Sequence, residues 1–234
     1  MKRFLLPLFL LAACGYQTPD PAQQLTFVEA MQNLPFQLDD WSGNTQEPGG
    51  TLTYISGIGS VTPQEVVTAL KSAGLIIKPE NVHVTGEPTP PPLLPNGSPF
   101  RAELIASSTG RSGQDYAISV RLINTTTQAL KVSYGAVPLN AVLVDQNGKA
   151  VFWATVGAVI AVVYLTDCPP QQPCNKTLDL KFRLNRFQPK FPVQPGNYTL
   201  KVFTQGVGVS GEGPYQTGQV LNFSLPPQTL TVLP

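Results

Sequence analysis

Beyond residue 99 the chain is cut into short stretches of alternating apolar and polar residues, and that spacing leaves little room for any fold but an antiparallel β-sandwich. The stretches are 101–106, 116–123, 129–134, 141–144, 150–155, 158–165, 177–184, 198–204, 220–225 and 228–233, with Gly, Pro and Asn concentrated between them. Within 116–123, Ile118, Val120 and Leu122 alternate with Ser119, Arg121 and Ile123, the period of a strand with one buried face. Asp145-Gln146-Asn147-Gly148 is a hairpin turn, because Asn and Gly accept positive φ. The 24 prolines and 20 glycines suit a turn-rich body better than helices. The fold class expected is mainly β, an Ig-like antiparallel β-sandwich over residues 100–234.

Residues 150–165 carry no charge and are almost unbroken apolar. The run is shorter than a bilayer-spanning helix requires. Its β-branched residues and Gly157 predict two buried central strands meeting at a turn.

The three cysteines divide into one and two. Cys168 and Cys174 bracket Pro169-Pro170-Gln171-Gln172-Pro173, and with His83 as the sole histidine they lack the partners of a zinc site. They are expected to form a disulfide bracing a strand connection, worth roughly 2 kcal/mol by chain entropy, in an oxidising compartment. Cys14 ends Leu11-Ala12-Ala13-Cys14 behind a basic Lys2-Arg3 and an apolar stretch from Phe4 to Leu11, which reads as a signal peptide over residues 1–13. The four residues ending at Cys14 resemble the bacterial lipobox. That resemblance implies acylation of Cys14, export, and a stable membrane tether in the bacterial cell envelope, since more than one acyl chain anchors firmly at about 0.8 kcal/mol per buried methylene.

Residues 14–50 are rich in Gln, Pro, Asp and Gly and read as a flexible tether, spanning roughly 33 Å on average. The pair Asp39-Asp40 beside Trp41 reads there as a solvated turn. A small α+β unit is expected over 51–86. Leu52-Thr53-Tyr54-Ile55 is strand-like, and Thr62-Pro63-Gln64-Glu65 is a helix start with a capping residue, Pro at the first position and Glu at the third. Val66, Val67, Leu70 and Ala73 then share a face until Gly74. Leu75-Ile76-Ile77 and Val82-His83-Val84 read as further short strands. Residues 87–99, with Pro88, Pro90, Pro91, Pro92, Pro95 and Pro99, favour polyproline geometry and read as a semi-rigid linker.

The stretch 118–203 resembles the intracellular proteinase inhibitor family, the BsuPI-type domains. The resemblance rests on Val120-Arg121-Leu122-Ile123-Asn124, Leu130-Lys131-Val132-Ser133-Tyr134-Gly135, the run from Val144 to Val151, Trp153, and Pro195-Gly196-Asn197-Tyr198. It implies a β-sandwich and binding to proteinases. The chain departs from the pattern at Leu139-Asn140-Ala141 and Trp153-Ala154, where the family carries Tyr-Asp and Trp-Ser, and it inserts the cysteine loop.

Charged residues make up 12% and the net charge is +1, which excludes the basic face that nucleic acid demands. No nucleophile elbow or phosphate loop is present, and His83 falls on the exposed side of a short strand. No enzyme, cofactor or metal is expected. Binding to an envelope or secreted protein is the leading function, with a purely structural or assembly role in the envelope as the alternative. The candidate binding loops are the cysteine loop, the segment 185–192 with Arg186, Phe187, Lys190 and Phe191, and the glycine-rich stretch 206–218 with Tyr215, because Arg and aromatic side chains anchor interfaces.

Overall fold

The computed structural model describes residues 34, 36–44, 50–72, 74–154, 162–187, 191–211 and 218–234. The body beyond residue 99 is the expected sandwich. One sheet of three strands has β4 (Phe100–Ala106), β6 (Asp115–Asn124) and β11 (Leu178–Arg183) in the order β11-β6-β4. A second contains β7 (Leu130–Gly135), β10 (Val163–Cys168), β15 (Gly208–Gly211) and β16 (Gln219–Val220), ordered β10-β7-β15-β16. A third runs β5-β17-β14-β8-β9, from β5 (Thr109–Arg111), β8 (Leu139–Val144), β9 (Ala150–Ala154), β14 (Gly196–Thr204) and β17 (Gln228–Leu233).

All three sheets feed one core. On β6, Tyr116, Ile118, Val120 and Leu122 are buried at alternate positions, and Leu130, Val132 and Tyr134 do the same on β7. Phe223 and Leu200 close the core from the other side with no more than 1% exposure. The hairpin between β8 and β9 forms as expected: Gly148 N–H donates to Asp145 O, Asn147 N–H donates to Asp145 Oδ1, and Gly148 alone takes positive φ, 79°.

β8 is buried on both faces, and this determines how the N-terminal unit sits. Leu139, Ala141 and Leu143 join the core, while Val142 and Val144 pack with Trp153, Phe203 and Ile58 on the opposite side. Ile58 belongs to β2 (Thr51–Ile58), which lies between β1 (Gln37–Asn44) and β3 (Val82–Thr85) in a three-stranded sheet, antiparallel to β1 and parallel to β3. Helix α1 (Pro63–Ser72) makes the crossover and presses Val66 and Leu70 onto that sheet. Its capping box is complete: Thr62 N–H donates to Glu65 Oε2 at 2.7 Å and Glu65 N–H donates to Thr62 Oγ1 at 3.3 Å.

Several expectations are corrected. The tether does not extend to residue 50, because Leu34, Phe36 and Leu38 are buried and 37–44 pair with β2 as β1. Those three side chains give the small unit the core that 51–86 alone would lack. Asp39 and Asp40 lie on this strand rather than in a turn. Leu75-Ile76-Ile77 forms only a single bridge, Thr51 to Ile76. The proline segment is not a free spacer: Ser224 N–H donates to Pro92 O at 2.8 Å, Ser224 Oγ donates to Pro91 O, and Leu93 bridges to Ser224. The run 150–165 does not give two buried neighbours. β9 and β10 lie in different sheets, and β10 stands at an edge with its first three residues exposed. Residues 208–211 of the glycine-rich stretch are a strand paired with β7. Among the described residues no helix is long and apolar enough to cross a membrane.

The small unit is also joined to the sandwich by one side chain. Gln37 Nε2 donates to Trp153 O at 2.9 Å, and Trp153 N–H donates back to Gln37 Oε1. The amide thus imitates the peptide group of a neighbouring strand along the free side of β9.

Candidate functional site

Among the described residues β10 carries three consecutive exposed large apolar side chains. Val163 is 72% exposed, Leu165 63% and Tyr164 45%. Among the described residues β10 pairs only with β7, and its register sets Val163 against Gly135 and Leu165 against Ser133. Farther along, Asn175 N–H donates to Asp167 O, so the backbone of Asp167 faces away from β7. Backbone groups alternate along an antiparallel strand, which turns the N–H and C=O of Leu165 and Val163 to the same outer side. The result is a strand edge whose outer peptide groups at Val163 and Leu165 pair with none of the described residues, with no charge on the strand before Asp167. Tyr164 leans inward on Tyr134, with ring centroids 5.7 Å apart. Burial, then Asp179, then Tyr164 push the Tyr134 phenol above its ordinary pKa.

At its far end this edge is held by the disulfide. Cys168 and Cys174 are bonded, with Cα atoms 3.9 Å apart, and both are buried. The connection carries the chain from β10 in one sheet to β11 in another. Its backbone is turned inward: Asn124 N–H donates to Gln172 O, Gln171 N–H to Thr126 O, and Cys174 N–H to Leu122 O. Asn124, with no exposure, sits at the centre of the corner. Its Nδ2 donates to Gln128 O at 2.7 Å and to Cys168 O at 2.9 Å, and its Oδ1 accepts from Thr126 N–H and Oγ1. The disulfide is therefore a brace on a strand connection, as the sequence predicts, and much of the loop's backbone is already spent on the sandwich.

The other candidate residues are placed unevenly. Arg186 and Phe187 lie in β12 (Asn185–Phe187) and Phe191 in β13 (Phe191–Pro192), and these two short strands pair with each other. Lys190, Tyr215 and Cys14 lie outside the described residues. His83 is exposed on β3, its ring 5.1 Å from that of Tyr54. Desolvation, then the adjacent Asp40, raises the Asp39 carboxyl. On the outer face of β6 and β11, Asp115 meets Lys181 at 2.8 Å and Arg183 at 3.2 Å. Hydrogen bonds from Lys181 and then Arg183 hold that carboxyl below its usual range, although such exposed pairs add little stability. Among the described residues no group of three or more His, Cys, Asp or Glu is placed to hold a metal.

The β10 edge escaped sequence reasoning because an edge strand and a central strand read alike when the run is uniformly apolar. The absence of any charge in 150–166 pointed away from an edge as well, since exposed edges usually carry a protective Lys or Pro.

No protein-family model and no curated protein matches the chain. Among solved structures it is similar to the structural-genomics target SoR45, at 17% identity over 57% of this chain and 86% of that one, with a TM-score of 0.31. It is also similar to the CARDB domain of the PF1109 protein from Pyrococcus furiosus, solved with di-metal ions, at 13% identity over 57% and 87%, TM-score 0.24. A third is a PapD-like domain of human CEP192, at 15% identity over 63% and 94%, TM-score 0.28. Scores this low carry no functional inference.

Proposed function

We propose that this chain is a lipid-anchored, extracytoplasmic protein of a bacterial envelope whose non-catalytic β-sandwich captures an extended segment of an envelope or secreted protein on the open edge of β10. The observation that carries the binding reading is the row of outward peptide groups at Val163 and Leu165, flanked by exposed apolar side chains. Such an edge accepts an added strand through main-chain hydrogen bonds, with side chains supplying selectivity. With no charge before Asp167, the fitting segment is itself uncharged. Proteinases are the partner class that the BsuPI resemblance favours. The anchored location is supported by the lipobox-like Leu11-Ala12-Ala13-Cys14 and by a buried disulfide, which belongs to an oxidising compartment.

Two measurements test this reading. Cys14→Ser is expected to abolish labelling by a fatty-acid probe, and persistent labelling removes the anchor. For the edge, Leu165→Pro deletes an N–H that the β7 ladder does not use, so the fold is retained as it is for prolines in edge strands. Assayed against a panel of secreted proteases, the parent is expected to form a complex or inhibit at micromolar concentration, and Leu165→Pro to lose it. No complex from the parent ends the inhibitor reading. Equal binding by the variant ends the edge reading.

A further inference from the structure

The proline segment 87–99, pinned to the sandwich by Ser224, creates something the sandwich alone would not have. Between it and the ends of β7, β8 and β14 lies a cleft of about 740 Å³, within the size range of small-ligand sites. Pro88 and Pro91 form one wall, and Val137 and Phe203 part of the opposite one. No Asp, Glu, Lys, Arg or His lines it. Its polar character comes from three amides, Asn140, Gln205 and Asn222, and from the hydroxyl of Thr89.

Each amide is fixed by one half, and the other half has no hydrogen-bond partner among the described residues. Asn140 Nδ2 donates to Gln205 Oε1 at 2.7 Å, so this pair offers one further acceptor and one further donor whichever way round the two amides lie. Asn222 Oδ1 accepts from Gly206 N–H at 2.8 Å, which leaves its NH₂ as a donor. Gly206 takes φ 64°, and this left-handed residue aims its N–H at Asn222. The backbone along the same rim is already used: Thr204 N–H donates to Phe223 O and Gln205 N–H to Pro138 O. A peptide that adds as a strand through main-chain pairing would find these two donors already taken.

We infer that this cleft binds a short neutral saccharide. A charged ligand would lose its hydration against uncharged walls with no counter-charge. Hydroxyl groups both donate and accept, matching the mixed set that the anchored amides leave free, while Pro88, Pro91 and Val137 suit the C–H faces of a sugar ring. Because the amides are held before binding, little ordering is needed when the ligand arrives. The inference is independent of strand capture at β10: the cleft borders that sheet through Gly135, which pairs with Val163, but no β10 residue lines it.

The test is a screen of the full-length protein in detergent against neutral glycans, anionic glycans and proline-rich peptides, followed by calorimetry on any ligand found. A neutral glycan is expected to bind. Gln205→Ala, at an exposed side chain, and Asn222→Ala are each expected to weaken it about tenfold or more, the loss of one or two hydrogen bonds. Leu165→Pro is expected to leave that affinity unchanged. Absence of any neutral-glycan binding at millimolar concentration overturns the inference. So does binding confined to anionic glycans or peptides, or parent-like affinity in both amide variants.

Discussion

Asn124→Ala is expected to destabilise the sandwich by about 3 kcal/mol, measured as a fall in the urea midpoint with the disulfide intact. The side chain has no exposure and makes four hydrogen bonds, two as donor to Gln128 O and Cys168 O and two as acceptor from Thr126. A buried bond of this kind contributes about 1 kcal/mol net, and stranding its partners adds to the loss. The substitution also frees the carbonyl of Cys168, so the connection that steps from β10 to β11 loosens while its cross-link stays. Asn124→Asp is expected to be worse near neutral pH, because a carboxylate would face two carbonyl oxygens with no donor between them. A midpoint within error of the parent for Asn124→Ala would show that the corner is held by the disulfide alone.

Gly57→Ala is expected to release β1 and cost about 3 kcal/mol, at the upper end of what overpacking usually does. A Cβ at Gly57 would meet the ring of Phe36 at 2.0 Å and the backbone oxygen of Gln37 at 2.2 Å. The ring could turn aside, but the carbonyl belongs to the strand and cannot move without it. Hydrogen exchange is expected to quicken across residues 37–44 and to stay slow in β6 and β14. Uniform quickening would mean that the two units unfold as one. Unchanged exchange in β1 would mean that Phe36 and its strand accommodate the methyl group.

These two sites show which parts of the molecule were legible beforehand. β6 was readable because Tyr116, Ile118, Val120 and Leu122 face a single core, so burial and alternation coincide. β8 resists that reading, since Val142 and Val144 are buried along with Leu143, in a second cluster that Trp153 and Phe203 form with Ile58 from the N-terminal unit. β1 was hidden by its composition: Asp39, Asp40, Ser42 and Gly43 resemble a linker, and the strand exists because Leu34, Phe36 and Leu38 reach a sheet. The pairing of Gln37 with Trp153 joins residues 116 apart in sequence, a distance at which no local pattern carries information. The cleft was invisible for a related reason. Its amides come from 140, 205 and 222, and its far wall from prolines whose sequence signals only extended backbone. The disulfide needed no fold to be anticipated, since Cys168 and Cys174 stand six residues apart and the third cysteine, Cys14, lies far away in sequence within the lipobox-like run.

Strand edges are also where proteins polymerise, because unpaired peptide groups template further chains. Gln37 fills the place beside Trp153 that an incoming peptide would take, so the five-stranded sheet is stoppered at β9. Its other end, β5, spans three residues, and β16, the far end of the sheet that contains β10, spans two. Among the described residues, a copy that pairs through β10 therefore has no second edge of comparable length in these two sheets to offer the next. Assembly through their edges would then close at a pair and would not propagate into a fibre.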